Sequence, residues 1–212
     1  MSKPVDIKIA QFTKLDNLEQ SIDRSLVWEI FQKNNNEVLK HFIKFQQTWV
    51  NQAYIVFKDF DTYLVLIYLI NKVFLNLSDR FHYMSFESFY NQERLSIDKI
   101  NLIEISKDLN IPKETIRRKV NFLQDQGIIY RDGKSIFLNV SKISIQKPVT
   151  SIGLLATCLA KFSDLLSSQK WFGDKISQET IVKFIQDHFT VSWEYFFRFQ
   201  IPYLVRHRTF FG

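Results

Sequence analysis

Residues 101–138 read NLIEISKDLNIPKETIRRKVNFLQDQGIIYRDGKSIFL, and they carry the signals of a short helix, a tight turn, a second helix and a hairpin. Asn101 can cap the first helix, and Glu104 follows three residues later in a variant of the capping box. The apolar face of this helix is formed at helical spacing by Leu102, Ile105 and Leu109. Asn110 comes next. After glycine, asparagine is the residue type that most readily adopts the left-handed conformation with which many helices end.

The second helix has equally clear boundaries. Pro112 opens it, because a missing N–H costs nothing at the first helical position, and Gly127 ends it. Its buried stripe is expected at Ile116, Val120 and Leu123. Leu123 and Ile128 then occupy the two positions that touch each other in a Schellman cap.

A β-hairpin follows the second helix. Two apolar runs, 128–131 and 134–138, are joined by Asp132-Gly133, and such a dipeptide between apolar runs favours a two-residue type I′ turn. Helix, turn, helix and hairpin in this order predict a winged helix-turn-helix.

The face of the second helix that points away from the core decides the functional prediction. Arginine can bridge guanine O6 and N7 or clamp a phosphate, and asparagine can pair with adenine. The N-terminal half of a recognition helix usually reaches the bases in the major groove, and basic residues beside the hairpin tip can grip phosphates. The predicted DNA-binding residues are therefore Lys113, Glu114, Thr115, Arg117, Arg118, Asn121, Arg131 and Lys134. Lys119 and Asp125 are assigned to solvated surface.

The basic charge is concentrated in the same region. Residues 112–147 contain eight basic and three acidic side chains, a balance of +5, against a formal net charge of +6 for the whole chain. This distribution fits a nucleic-acid partner, although a basic composition alone does not establish one.

The segment from Ile111 to Val120, IPKETIRRKV, with Leu123 and Gly127 beyond it, resembles the P-x-E-T-V-R-R signature of bacterial winged helix-turn-helix transcriptional regulators related to the MarR and GntR superfamilies. The resemblance covers this core and, more weakly, the apolar helix before it. It implies a cytoplasmic, usually dimeric DNA-binding regulator, and it supplies neither an operator nor an effector.

The rest of the chain predicts a mainly α protein in which flanking N- and C-terminal helices surround the winged helix. Three segments are expected: an N-terminal helical segment at 1–57, the winged-helix domain with a long leading helix at 58–147, and a C-terminal helical segment at 148–212. Residues 15–57 predict two helices separated by Asn34–Asn36. Trp28 and Trp49 are expected as core or packing residues, with stacking on a nucleic acid as the alternative. The aromatic-rich residues 81–95 predict a connecting loop with a short helix.

The tail from Val191 onward is rich in aromatic residues and ends in basic ones. It either covers a hydrophobic groove, on this chain or on a partner subunit, or carries a second phosphate contact. The excess of aromatic over basic residues favours the groove.

No motif indicates an enzyme. The four histidines are scattered without metal-ligand spacing, and no glycine-rich phosphate loop or G-x-S-x-G is present. The single Cys158 lies in an apolar helix stripe, which is a poor place for a reactive thiolate. No cofactor and no metal are expected.

The expected partners are double-stranded DNA and a second copy of the chain in a homodimer, in the cytoplasm. Residues 59–80 are strongly apolar, but Asn71 and Lys72 interrupt the run short of the ~20 residues of a membrane span, so no membrane partner is expected. Three points stay open. The winged helix could serve protein association without DNA, the chain could be a replication- or phage-type DNA-handling protein, and an apolar small-molecule effector could be sensed.

Overall fold

A computed structural model describes residues 24–57, 59–97, 101–132, 135–143, 148–168 and 174–208. The described chain is mainly helical, as the sequence predicts, and it has a small antiparallel sheet of three strands where only a two-stranded hairpin was predicted. The predictions for residues 1–23, and those for Gly133, Lys134 and Lys147, lie outside the described residues.

The elements follow one another in this order: α1 (Arg24–Phe57), α2 (Phe60–Asp79), α3 (Phe86–Tyr90), β1 (Arg94–Ile97), α4 (Leu102–Leu109), α5 (Lys113–Asp125), β2 (Ile129–Asp132), β3 (Ser135–Asn139), α6 (Val140–Ile143), α7 (Val149–Ser168), α8 (Gln178–Asp187) and α9 (Phe189–Arg206).

Helix α1 consists of two helical stretches joined across a kink at Asn34, which confirms the predicted break. Asn34 alone leaves helical geometry, with φ −127° and ψ 19°. Its side-chain amide donates to the Ile30 carbonyl at 3.0 Å. In a regular helix the backbone N–H of Asn34 itself would donate to that carbonyl, so the side chain replaces it. Trp49 is buried. Trp28 is 59% exposed and stacks on Phe31 at 5.7 Å between ring centroids, so it is a packing residue rather than a core residue.

Helix α2 is the central element of the fold. Asp59 caps it by accepting from the Asp61 N–H, and the helix packs against α1, α4, α5, β1 and α9. Its buried side chains include Leu64, Val65 and Phe74. A helix that is apolar on nearly all sides is typical of such an interior position.

The strands pair in the order β1-β3-β2, and all pairs are antiparallel. The pairing of β2 with β3 confirms the predicted hairpin, but the position of its turn is corrected. Asp132 lies in β2 and pairs with Ser135, so it is not one of the two turn residues as predicted. The residues at the tip lie outside the described part of the chain. Strand β1 was not predicted, since its residues overlap the stretch assigned to a loop. Leu95, Leu138 and Ile129 are direct neighbours across the three strands, and all three are buried on the face that meets the helices.

One contiguous core joins residues from all three predicted segments. Phe45 and Trp49 come from α1, Phe74 from α2, and Trp193 and Phe197 from α9. Their rings pack edge-on or stacked, for example Trp49 on Trp193 at 5.5 Å and Phe74 on Phe197 at 5.9 Å between centroids. The aromatic tail thus forms a helix that covers an apolar groove of its own chain, and the division into three segments stays a prediction.

Helices α2 and α7 are long and apolar enough, by length and composition, to cross a membrane. Within the apolar window of α2, 56% of the residues are buried inside the protein, compared with 28% in α7. Core helices of soluble proteins meet the same criterion, so the cytoplasmic location stays a prediction.

Candidate functional site

The turn between α4 and α5 is held by its own backbone. Asn110 is left-handed at φ 51°, as predicted, and the Ile111 N–H donates to the Ser106 carbonyl at 3.1 Å. The Ser106 hydroxyl donates back to the Ile111 carbonyl at 2.6 Å. Asn101 caps α4 by accepting from the Ile103 N–H at 3.0 Å. Turn and caps together fix where α5 begins.

Glu104 does not complete the expected capping box. Its carboxylate instead accepts a hydrogen bond from the ammonium group of Lys72 in α2, with which it forms an ion pair. This hydrogen bond holds the pKa of Glu104 below its usual range. The same side chain lies within 3.4 Å of the Tyr68 hydroxyl, which also donates to Asp108. Glu104 therefore ties α4 to α2 rather than satisfying its own helix end.

Helix α5 has the boundaries and buried stripe that the sequence predicts. The sequence predicts Pro112 as the first residue of the helix. In the structure Pro112 is the N-cap, and the helix begins one residue later. Ile116, Val120 and Leu123 are all buried. At the other end Gly127 is left-handed at φ 65°, and the Ile128 and Gly127 N–H groups donate to the Leu123 and Gln124 carbonyls at 3.0 and 2.9 Å. These two bonds are those of a Schellman cap.

The predicted contact residues of α5 lie together on its exposed side. Lys113, Glu114, Arg117, Arg118 and Asn121 are exposed, and Thr115 is half-buried. Glu114, Arg118, Asn121 and Asp125 recur at spacings of four, three and four, so they form the strip opposite the buried stripe. The terminal segments leave this side of the helix uncovered, within the part of the chain that the structure describes.

Arg117 already has a partner on this surface. Its guanidinium Nε contacts both Glu114 carboxylate oxygens at 3.0 and 3.1 Å, and a third bond of 2.5 Å runs from Nη2. These hydrogen bonds hold the pKa of Glu114 below, and that of Arg117 above, its usual range. Among the described residues, Arg118 makes a single side-chain hydrogen bond, a long contact of 3.5 Å to the Thr115 hydroxyl. Of the two arginines, Arg118 is thus the freer to bind a partner.

Of the two residues predicted beside the hairpin tip, the structure describes Arg131, and Lys134 lies outside the described residues. Arg131 is exposed near the end of β2 and pairs in register with Ile136. Because side chains alternate along a strand, it shares the helix-facing side of β2 with Ile129. This orientation directs it to the same side of the sheet as α5.

Lys119 is not the surface residue that was predicted. Its ammonium group forms an ion pair with Asp59, the N-cap of α2, and their side chains are only 23% and 33% exposed. The Thr62 hydroxyl donates to the same carboxylate. The pair joins α5 to the start of the central helix across 60 positions of sequence, and no local pattern signals a contact of that range.

Arg208 is a second residue that sequence reasoning missed. Its guanidinium reaches the carboxylate of Asp61 and the backbone carbonyl of Asn110. The C-terminal end of the described chain therefore contacts the turn that precedes α5.

Cavities of different size lie near this surface, and the described residues form no metal centre. Among the described residues no cluster of three or more His, Cys, Asp or Glu side chains could hold a metal ion. A cavity of about 100 Å³ under α9 is lined mainly by aromatic rings. A more open cavity of about 430 Å³ lies against the sheet, where Arg94, Tyr130 and Asn139 are among its lining residues. Its volume lies within the range of about 300–1,000 Å³ that is usual for drug-sized ligands, and a small-molecule effector stays a prediction.

No family model, no curated protein and no solved structure matches the chain. The resemblance to winged-helix regulators therefore depends on the sequence motif alone.

Proposed function

We propose that the chain is a sequence-specific double-stranded DNA-binding protein, acting as a transcriptional regulator. Helix α5 would enter the major groove, and the β2–β3 hairpin would contact the backbone beside it. The observation that carries the proposal is the exposed side of α5, where Lys113, Arg117, Arg118 and Asn121 stand clear of the core.

The order of the elements around α5 supports a winged helix-turn-helix. Helix α2, the short helix α3, strand β1, helices α4 and α5, and strands β2 and β3 follow one another in the chain, and β3 lies between the other two strands. The hairpin of such a domain adjoins its second short helix, and α5 does contact β2 here.

The Arg117–Glu114 pair assigns different roles to the two arginines. Arg118 can approach a base edge or a phosphate directly, whereas Arg117 must first leave Glu114. An exposed pair of this kind contributes little to stability, since water and salt screen it. Once Arg117 has left it, the Glu114 carboxylate would have one of two roles. It would accept a hydrogen bond from a cytosine N4 in the groove, or it would repel incorrect sequences and so weaken binding to them.

Selection of bound sequences from a random duplex pool tests the proposal. We expect enrichment of a defined sequence, and a palindrome if the protein binds as the homodimer that we also propose. Sedimentation of the free protein would measure its oligomeric state separately. No enrichment, together with no duplex shift at low salt, would rule out the regulator proposal.

A second candidate is a winged helix that binds protein rather than DNA. Phe122 is 42% exposed on the outward side of α5, and Ile103 is 50% exposed on α4. Exposed apolar side chains beside acidic ones suit a protein surface better than a phosphate backbone. Failure to bind any duplex, combined with loss of a co-purifying protein on Phe122→Ser, would favour this candidate.

A further inference from the structure

Arg208 joins three parts of the fold through one side chain. Its Nε and Nη2 atoms donate to the two carboxylate oxygens of Asp61, at 2.7 and 3.1 Å. Its Nη1 atom donates to the Asn110 carbonyl at 2.9 Å. Arg208 follows directly after α9, Asp61 lies in the first turn of α2, and Asn110 ends α4. The side chains of Arg208 and Asp61 are 32% and 19% exposed.

Each of these contacts is of a directional kind. A guanidinium that meets a carboxylate through two parallel N–H bonds has a defined geometry as well as a charge attraction. The carbonyl of Asn110 belongs to a helix end, where backbone oxygens lack intrahelical partners. Arg208 therefore supplies a donor to the left-handed residue on which the turn between α4 and α5 depends.

A parallel ion pair holds α5 to the same place. Asp59 and Asp61 flank the first residue of α2. Asp59 forms an ion pair with Lys119 of α5, and Asp61 forms one with Arg208. The apolar stripe of α5 gives attraction without direction, so it does not by itself define how far the helix slides or rotates. Asp61 therefore anchors the turn through Arg208, and Asp59 anchors α5 through Lys119.

We propose that Arg208 is a positioning residue for the DNA-binding surface: it fixes the turn between α4 and α5, and through the turn the outward side of α5. The inference rests on the proposed function, and it deepens that function by giving the C-terminal end of α9 a role in it. Three of the five N–H donors of Arg208 are engaged within the protein, so the inference assigns it contacts inside the fold rather than a contact to phosphate.

The test compares Arg208→Gln with wild type in two measurements. Amide hydrogen exchange over residues 110–117 reports the turn directly, and we expect faster exchange in the variant. Affinity for the selected duplex should fall roughly 2- to 30-fold, the range of mutations that act through an intervening contact. The dependence of affinity on salt should keep its slope, since no phosphate contact is lost.

Three further variants sharpen the test. Arg206→Gln removes the same charge from an exposed side chain two residues earlier, and exchange in the turn should stay as in wild type. Arg208→Lys keeps the positive charge but loses the two parallel N–H donors, so its amide exchange in the turn should lie between that of wild type and that of Arg208→Gln. It replaces Arg208→Gln in the test if that variant folds poorly. Asp61→Asn should speed exchange in the turn as Arg208→Gln does, with little further effect when the two are combined.

Unchanged exchange in the turn of Arg208→Gln would overturn the inference, and so would a salt slope flattened by about one, which marks a lost phosphate contact. The exchange measurement needs no DNA. If wild-type protein binds no duplex, the proposed function fails while the exchange result still decides whether Arg208 holds the turn.

Discussion

Glu114 is the residue that most constrains the proposed DNA-binding surface, because it occupies Arg117. We predict that Glu114→Gln raises affinity for random duplex and steepens the salt dependence by roughly one phosphate contact, since the released arginine can then bind phosphate. Binding titrations at several salt concentrations measure both quantities.

Asp125→Asn is the matched control, because it removes an acidic charge from the same strip of α5 without releasing an arginine. It should leave the slope unchanged. Equal slopes for Glu114→Gln and wild type would show that Arg117 does not reach DNA.

Asp59 gives a prediction about stability and pH. Burial raises the pKa of its carboxyl, but the hydrogen bonds from Lys119 and Thr62 outweigh burial, so the pKa lies below its ordinary value. The ionised form is thus favoured by folding, and its contribution to stability is present above the unfolded-state pKa of about 3.9 and lost as the pH falls through the folded-state value.

We therefore expect Asp59→Asn to lower the free energy of unfolding by up to about 1 kcal/mol at pH 7, a figure limited by the partial exposure of the pair. The difference from wild type should shrink below about pH 4. Urea unfolding between pH 3 and 7 measures it, with the exposed Asp174→Asn as control. A difference as large at pH 3 as at pH 7 would mean that the ion pair is not its source.

At the level of the elements, two glycines form a matched pair for testing how α5 ends. Gly127 is left-handed at φ 65°, and a Cβ there would meet only the end of the Lys142 side chain at 3.8 Å. Gly127→Ala should therefore destabilise the fold by about 1–2 kcal/mol through backbone strain alone. Gly153 lies inside α7 with no atom within 4 Å of an added Cβ, so Gly153→Ala should stabilise by roughly 0.5–1 kcal/mol.

Chemical unfolding of both variants measures these opposite signs. A Gly127→Ala variant as stable as wild type would contradict the Schellman cap at the end of α5.

The elements that the sequence predicted well are those with local signals. The left-handed Asn110, the cap at Asn101 and the glycine at position 127 each act within a few residues, and their hydrogen bonds follow the expected pattern. Strand β1 escaped because four residues carry little periodicity and its partner β3 lies about 40 positions away. The break expected near Asn34 became a kink because the side chain of Asn34 takes the Ile30 carbonyl.

For the whole molecule, the contacts that position the candidate surface could not be predicted from sequence. Arg208 meets Asp61 across 147 positions and Lys119 meets Asp59 across 60. A third such contact joins Gln46 and Gln200, whose buried amides exchange hydrogen bonds of 2.8 and 2.7 Å. Each depends on how α1, α5 and α9 pack on α2, which is a property of the assembled core.

The contiguous core leads to a prediction about cooperativity. Because α1, α2 and α9 share their buried aromatic rings, we expect one unfolding transition at which tryptophan fluorescence and far-ultraviolet circular dichroism change together. Two separate transitions would instead indicate that the predicted segments are stable units of their own.

The most direct measurement of the central claim is the affinity of Arg118→Ala for the selected duplex. Arg118 is exposed on the outward strip of α5, so its loss should leave the unfolding temperature unchanged and weaken binding about 5- to 150-fold, the effect of 1–3 kcal/mol for a base-contacting arginine. Lys183→Ala, an exposed basic residue of α8, should bind as wild type does. Wild-type affinity for Arg118→Ala, or equal losses in both variants, would contradict the claim that this side of α5 recognises DNA.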